Sequence, residues 1–327
     1  MARNPIEIDR ILCPTDFSVF SSRALRHAIA LAQQFEARLT VLHVMPPMLS
    51  YGGVPPYSPA LAVVNPPVRQ QVEEEMRGFV EPAVEAHVPT HIEIREGDPW
   101  REIERAAEEL PADFVVMGTH GYGGFEHLLL GSVTEKLLRR LPCPVLTVCR
   151  EEGRTWEAPG LVSRVLCATD LSESSANTIA FALSLAEKHQ AEITLLHVID
   201  ALPDPTEHVY MAVPEIGPLR HDLEQRARGQ LHQAVPDEVR AGGTITECVT
   251  VGRAYKEILR IAAEQRADMI VMGTHGHGAI GRMLFGSTSH HVVRAATCPV
   301  LTIRPVRAAT RARGETRELA VAVPRDK

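Results

Sequence analysis

The chain has no CxxC pair, no apolar run approaching the roughly 18 residues a spanning helix requires, and no surplus of basic charge. Each absence excludes something. Six cysteines without metal-ligand spacing disfavour a disulfide framework or a zinc site. Cys13 matches Cys167 and Cys143 matches Cys298, each in or beside an apolar run, whereas Cys149 and Cys248 have no counterpart; small buried hydrophobes in a reduced protein are expected. The opening residues MARNPIEIDR lack an apolar signal core, and a cytoplasmic protein without a membrane segment is expected. Residues 1–150 carry 14 basic and 19 acidic side chains, and residues 151–304 carry the same numbers. A net charge of -5 on each half disfavours nonspecific nucleic-acid binding, which depends on neutralising phosphates. Residues 306–327 form a polar tail whose arginines are interrupted by Glu315 and Glu318, so a solvated segment is expected there.

Catalytic signatures are also missing. No GK[ST] completes a Walker A loop, no GxSxG marks a nucleophile elbow, and no HExxH or paired-carboxylate constellation occurs in the repeated parts. A formal GxGxxG spans residues 276–281, but it follows a fourth strand, whereas a dinucleotide fingerprint belongs after the first. No catalytic residue is assigned. His290-His291 has no counterpart in the first half, where Glu135 and Lys136 stand, and no metal site is expected there.

What the chain has is duplication. MGTHG occurs at 117–121 and again at 272–276, and nine residues after each stands a Gly-Ser pair, Gly131-Ser132 and Gly286-Ser287. RILCPTD ends at Asp16 and RVLCATD at Asp170; LHV recurs at 42 and 196, and CPVLT at 143 and 298. One single-residue indel reconciles the copies. A repeat of about 150 residues is long enough to bury its own core, so domains over 1–150 and 151–305 are expected.

Short apolar runs alternate with segments of helical period. Strands are predicted at residues 10–14, 39–44, 91–95, 114–117 and 145–148, with helices at 20–35, 69–86, 99–110 and 132–141. The second copy predicts strands at 164–168, 193–198, 244–251, 269–272 and 300–303. Strand–helix alternation implies two doubly wound, five-stranded parallel α/β domains. The runs FVVM and MIVM are apolar at every position, as central strands buried on both faces should be. Seven prolines in residues 46–67 rule out a helix or central strand and predict a loop over the carboxyl edge. The counterpart is 200–218, and 150–160 reads as a linker.

Ligands of such sheets bind beyond the carboxyl ends of the strands, where Asp16, Asp170, Gly118 and Gly273 fall. A strand, GxxG, a loop and a Gly-Ser opening a helix make an anion-binding arrangement. Glycine admits a phosphate to the backbone, and the helix start offers unpaired N–H donors. Ser132 and Ser287 are candidate phosphate donors or simple helix caps. His120 and His275 are phosphate or ribose ligands, or loop-ordering residues. His43 and His197, among apolar neighbours, read as satisfied core histidines. Asp16 and Asp170 are candidates to place magnesium through water, or to orient the loop.

The GxxG, nine-residue, G[ST] pattern after a fourth strand resembles the ATP-binding motif of the universal stress protein family, and both copies match, covering nearly everything from Ile8 to Arg304. The resemblance implies an adenine nucleotide alpha hydrolase-like fold of strand order 3-2-1-4-5, with Asp16 and Asp170 near adenine and ribose and Leu39 and Ile193 against the base. Pro14, Met117, Gly118, His120, Gly121, Gly131, Ser132, Val133 and Thr134 would hold ATP in one copy. Met272, Gly273, His275, Gly276, Arg282, Gly286, Ser287, Thr288 and Ser289 would do so in the other. It further implies that the two fifth strands associate about a pseudo-twofold axis, so that one chain mimics a family homodimer; a further pairing of two chains stays open. The copies depart from each other: Ala168 replaces Pro14, and His127 stands where the second copy has Arg282. The sites are therefore expected to be unequal, the second holding triphosphate more tightly. Three functions remain: a stress-response regulatory or sensing module biased by ATP, a slow ATPase or phosphotransferase, and a scaffold that binds no nucleotide.

Overall fold

A computed structural model describes residues 7–46, 66–120, 130–149, 162–200, 216–274 and 285–304. Most of the proline-rich loop and its counterpart lie outside the described residues, as do the linker, the tail, Gly121, His127, His275, Gly276, Arg282 and the formal GxGxxG.

The first half runs β1 (Arg10–Thr15), α1 (Val19–Phe35), β2 (Arg38–Met45), α2 (Pro66–Glu85), β3 (Thr90–Glu96), α3 (Pro99–Glu109), β4 (Phe114–Gly118), α4 (Ser132–Arg140) and β5 (Val145–Val148). The second runs β6 (Arg164–Thr169), a 3-10 turn (Glu173–Ser175), α5 (Ala176–His189), β7 (Glu192–Ile199), α6 (Ile216–Gln233), α7 (Asp237–Gly242), β8 (Ile245–Val251), α8 (Ala254–Glu264), β9 (Met269–Gly273), α9 (Ser287–Ala295) and β10 (Val300–Ile303). Every predicted element is present, with most ends moved by one or two residues. One correction concerns α2, which begins at Pro66 rather than after the prolines. First-turn N–H groups have no intrahelical partner, so proline loses nothing there.

The ten strands form one sheet in the order β3-β2-β1-β4-β5-β10-β9-β6-β7-β8. Neighbours are parallel within each half, and only β5 and β10 run antiparallel. The carboxyl ends of the two halves therefore open on opposite edges. At the seam Val300, Leu301 and Thr302 face Thr147, Leu146 and Val145. Buried Thr147 donates its hydroxyl to the Val300 carbonyl at 3.1 Å, and buried Thr302 donates to that of Val145 at 3.2 Å. This reciprocal pair gives the seam its pseudo-twofold character.

Alternation along each central strand sends side chains to two cores. Ile11, Cys13, Phe114 and Val116 join α1, α2, α5 and α6 on one face. Leu12, Val115 and Met117 join α3, α4, α8 and α9 on the other. Both clusters include residues of both halves, so the apolar interior continues through the seam. Lys188 of α5 lies 3.8 Å over the ring of Phe35 in α1, adding a cation–π contact between halves. Burial pushes the Cys13 and Cys167 thiols up to about 12, which makes them inert packing groups at neutral pH. No helix among the described residues is long and apolar enough to cross a membrane.

In the last turn of α5, His189 has both ring nitrogens buried without a hydrogen-bond partner among the described residues. Burial, aided by the charge of Lys188, pulls its pKa from 6.5 down to about 4. The unfolded ring takes its proton near 6.5 and the folded ring only near 4, so stability is full above that window and falls as pH drops through it. His189→Leu removes this dependence. Urea midpoints at about pH 7 and about pH 5 should show wild type losing on the order of 1 kcal/mol more than the variant; equal losses would refute the assignment.

Candidate functional site

The site is built where β1 and β4 end. Beyond Thr15 the chain turns sharply, with Phe17 at φ 63°, into a helix capped by Ser18, whose hydroxyl accepts from Ser21 N at 3.2 Å. Asp16 Oδ1 accepts from Ser18 N at 3.1 Å, an aspartate-stabilised turn that fixes the carboxylate at the strand end. Thr15 Oγ1 accepts from Phe17 N at 3.0 Å and donates to Ser21 Oγ at 3.1 Å. His43 Nδ1 donates to the Thr15 carbonyl at 2.9 Å, and its ring stacks on Phe17 at 4.5 Å. The histidine is thus satisfied, as expected, and it braces the turn that carries Asp16.

β4 ends at Gly118, where a Cβ would lie 2.9 Å from Phe20 Cβ and within 3.2 Å of its carbonyl. Close packing of α1 therefore demands glycine here, independently of any ligand. Thr119 N donates to the Val148 carbonyl at 3.0 Å, and the Thr119 carbonyl accepts from Gly131 N at 2.8 Å. The chain thus leaves β4 and returns beside it to start α4. Gly131 is the N-cap and Ser132 the first helical residue, which overturns the reading of Ser132 as a cap. A Cβ on Gly131 would lie 3.0 Å from the Thr119 carbonyl. The first N–H groups of a helix have no intrahelical acceptor, so this end faces outward as a donor array.

These elements enclose a cavity of about 440 Å³, lined by Pro14, Asp16, Met117, Gly118, His120 and the opening of α4 from Gly131 to Thr134, together with Thr15, Ser21, Val44 and Pro99. Of the expected first-copy residues, all that are described come together here except Leu39. Leu39 is fully buried in the core on the α1 face and pairs with Ile11 and Thr90 at the amino end of β2, far from the carboxyl edge. Ile193 is placed identically in β7, beside Val165 and Ile245. Both expectations are corrected: a residue opening a strand lies at the wrong edge of the sheet. Val44, near the end of β2, is the wall residue missed, and the carboxyl-end rule applied to β2 would have found it. Thr134 also needs correction as a phosphate donor. Its hydroxyl donates to the Gly118 carbonyl at 2.9 Å, so its proton ties α4 to β4. His120 Nδ1 lies 3.0 Å from Thr119 Oγ1, and its ring sits 5.2 Å from that of Phe20.

The second half repeats the framework. Asp170 Oδ1 accepts from Ser172 N at 3.1 Å and from its hydroxyl at 2.6 Å, with Leu171 at φ 60°. His197 Nδ1 donates to the Thr169 carbonyl at 3.0 Å. Thr274 N donates to Ile303, Gly286 N donates to Thr274 at 2.9 Å, and Ser289 donates to the Gly273 carbonyl at 2.8 Å, so Ser289 too is a tie rather than a donor to ligand. Gly286 is the N-cap of α9, so Ser287 is not. Ser287 is exposed and Thr288 half-buried in the first turn, and Met272 is buried. His291 Nδ1 donates to the Ser287 carbonyl at 2.7 Å and its ring stacks on Tyr255, which gives it a structural role.

The sequence model of the Universal stress protein family matches residues 7–148 and 162–304. A universal stress protein of Mycolicibacterium smegmatis is 28% identical over 297 residues, covering 90% of this chain and 97% of that protein. Universal stress protein MJ0531 of Methanocaldococcus jannaschii is 35% identical over 139 residues, 42% of this chain and 81% of its own length. The crystal structure of a universal stress protein from Archaeoglobus fulgidus superposes with a TM-score of 0.64 at 24% identity, covering 91% of this chain and 96% of that one.

The close approach at Gly118 is testable. Gly118→Ala should destabilise the protein by about 1–3 kcal/mol in urea titration, because backbone of α1 must move. Gly78→Ala in α2, with open space around the added methyl, should instead stabilise by about 0.5–1 kcal/mol. Equal effects would show that the Phe20 contact does not set the cost.

Proposed function

Because this chain belongs to the universal stress protein family, we propose that it is a stress-response regulatory module whose two cradles hold an adenine nucleotide, ATP in the first instance, without obligatory turnover. One observation carries the reading. In both halves a glycine N-cap is bound back to the residue after the fourth strand, at 2.8 Å and 2.9 Å, so that a helix start faces the strand ends.

The residues fit such a ligand. A cavity of about 440 Å³ is of the size small-molecule sites have. Its walls divide chemically: Pro14, Val44 and Met117 offer apolar surface to a base, Asp16 offers a carboxylate to ribose hydroxyls, and Gly131 to Thr134 offer backbone N–H groups to phosphates. A Cβ at Gly131 would press on the Thr119 carbonyl and narrow the cradle. No cluster of three or more metal-ligating side chains occurs among the described residues. Magnesium would enter on the triphosphate with its own waters, which is how this ion is commonly carried. Arg282 and His127 lie outside the described residues, and the inequality of the two sites stays part of the proposal. A cytoplasmic location belongs to it as well, supported by Cys13 and Cys167 as buried thiols.

Gentle purification, denaturation and chromatography with mass spectrometry of whatever is released test the reading. Intact ATP supports a binding module. ADP with sustained phosphate release would replace it with an ATPase, and an empty protein that stays empty after added ATP would leave only a scaffold. Gly131→Val and Gly286→Val should each remove about half of the retained nucleotide, and the double variant essentially all, by filling the phosphate approach. Full retention in a double variant whose melting curve is normal would sink the site assignment.

A further inference from the structure

Arg304 belongs to the second half of the chain but binds the first. It follows β10, and its guanidinium donates to the Arg140 carbonyl at 2.7 Å, to the Leu141 carbonyl at 3.3 Å and to the Arg139 carbonyl. These are consecutive acceptors at the carboxyl end of α4, the helix whose opposite end forms the first cradle. Resting on the nucleotide reading above, we propose that Arg304 is a positioning residue that couples occupancy of the second cradle to affinity of the first through α4.

The reasoning starts from helix ends. The last carbonyls of a helix have no intrahelical donor, and here one planar fork serves three of them. With nine residues, α4 is short enough that its order at one end depends on its order at the other. A cation at its carboxyl end and an anion at its amino end act on the same macrodipole, each favouring the aligned helix that the other needs. Glu104 of α3 reinforces this end, pairing with Arg140 at 3.4 Å.

The other side of the link is equally short. Ile303, immediately before Arg304, accepts from Thr274 N at 3.0 Å, and the Thr274 carbonyl accepts from Gly286 N at 2.9 Å, at the start of α9. Backbone at 303–304 thus lies between the second cradle and the first helix. A ligand that orders the second cradle steadies this backbone, and the first cradle then binds with less ordering left to supply. By linkage the effect is reciprocal. Among the described residues this guanidinium clamp is made by the second half: the residue equivalent to Arg304, following β5, is Cys149.

The test uses the full-length chain with magnesium and labelled ATP in equilibrium dialysis, first-site binding being the class lost in Gly131→Val. Arg304→Met, which keeps an unbranched stem, should weaken that class about three- to tenfold, with Arg304→Lys between. In the wild-type background Gly286→Val should weaken the first site; in the Arg304→Met background it should have no further effect. Unchanged first-site affinity in Arg304→Met, or the same Gly286→Val effect in both backgrounds, overturns the proposal. Hydrogen exchange without nucleotide separates this from failure of the nucleotide reading. Arg304→Met should speed exchange across residues 132–141 and leave 287–296 unchanged. No acceleration refutes the clamp itself. Acceleration in a protein that binds no ATP refutes the nucleotide reading and, with it, the coupling.

Discussion

Everything that makes this molecule a candidate receptor depends on one backbone hydrogen bond made twice, between the residue after the fourth strand and the glycine that caps the next helix. Gly131 N to the Thr119 carbonyl, and Gly286 N to that of Thr274, return the chain to the strand it has just left. A helix that began elsewhere would still bury its apolar face, yet its N–H groups would point past the cavity. Thr134 and Ser289 add a second tie, three residues into each helix, to the carbonyls of Gly118 and Gly273. Two bonds on successive residues of β4 and its extension fix both the position and the rotation of α4. Removing one partner of such a buried pair costs about 1–3 kcal/mol, enough to hold these positions.

The seam supplies the second constraint. Since β5 and β10 run antiparallel while everything else is parallel, the two carboxyl edges are on opposite sides of one continuous sheet. That places the amino edge of the first half beside the carboxyl edge of the second. The end of α4 and the residue after β10 meet there as a consequence of strand direction, and Arg304 bridges a distance that the sheet has already made short.

Much of this was legible in the sequence, and for identifiable reasons. FVVM and MIVM announced central strands because burial on both faces leaves no polar alternation, and their residues do divide between the two cores. Asp16, Gly118 and Gly131 were legible because they stand at strand ends and helix starts, which apolar periodicity locates well. The misreadings share a cause: one-dimensional patterns do not reveal which end of a buried strand, or which oxygen, a side chain meets. Leu39 and Val44 are both apolar members of β2, and their opposite faces and opposite ends of the strand separate core from cavity wall. Thr134 reads as a hydroxyl near phosphate until its proton is seen on the Gly118 carbonyl. Pro66 and Pro67 look like helix breakers until they occupy the turn where a missing N–H is harmless.

The two copies differ in a pattern that follows from these constraints. Residues that tie backbone to backbone recur with the same chemistry: Thr15 and Thr169, Ser21 and Ser175, His43 and His197, Thr119 and Thr274, Thr134 and Ser289. Each makes an equivalent hydrogen bond in its own half. Most of the first cavity wall recurs as well, Asp16, Val44, Met117 and Ser132 matching Asp170, Val198, Met272 and Ser287, but a few positions on or beside it do not: Pro14 becomes Ala168, Phe20 becomes Ser174, Pro99 becomes Ala254 and Val133 becomes Thr288. A lost tie leaves an unsatisfied buried group, whereas a changed wall only alters the shape and polarity of a space. Duplication therefore preserves the cradle and most of its lining, and the changes fall at a few positions where no buried hydrogen bond is at stake. After the last strand, Arg304 stands where the first half has Cys149, and its guanidinium spans the seam to the carboxyl end of α4.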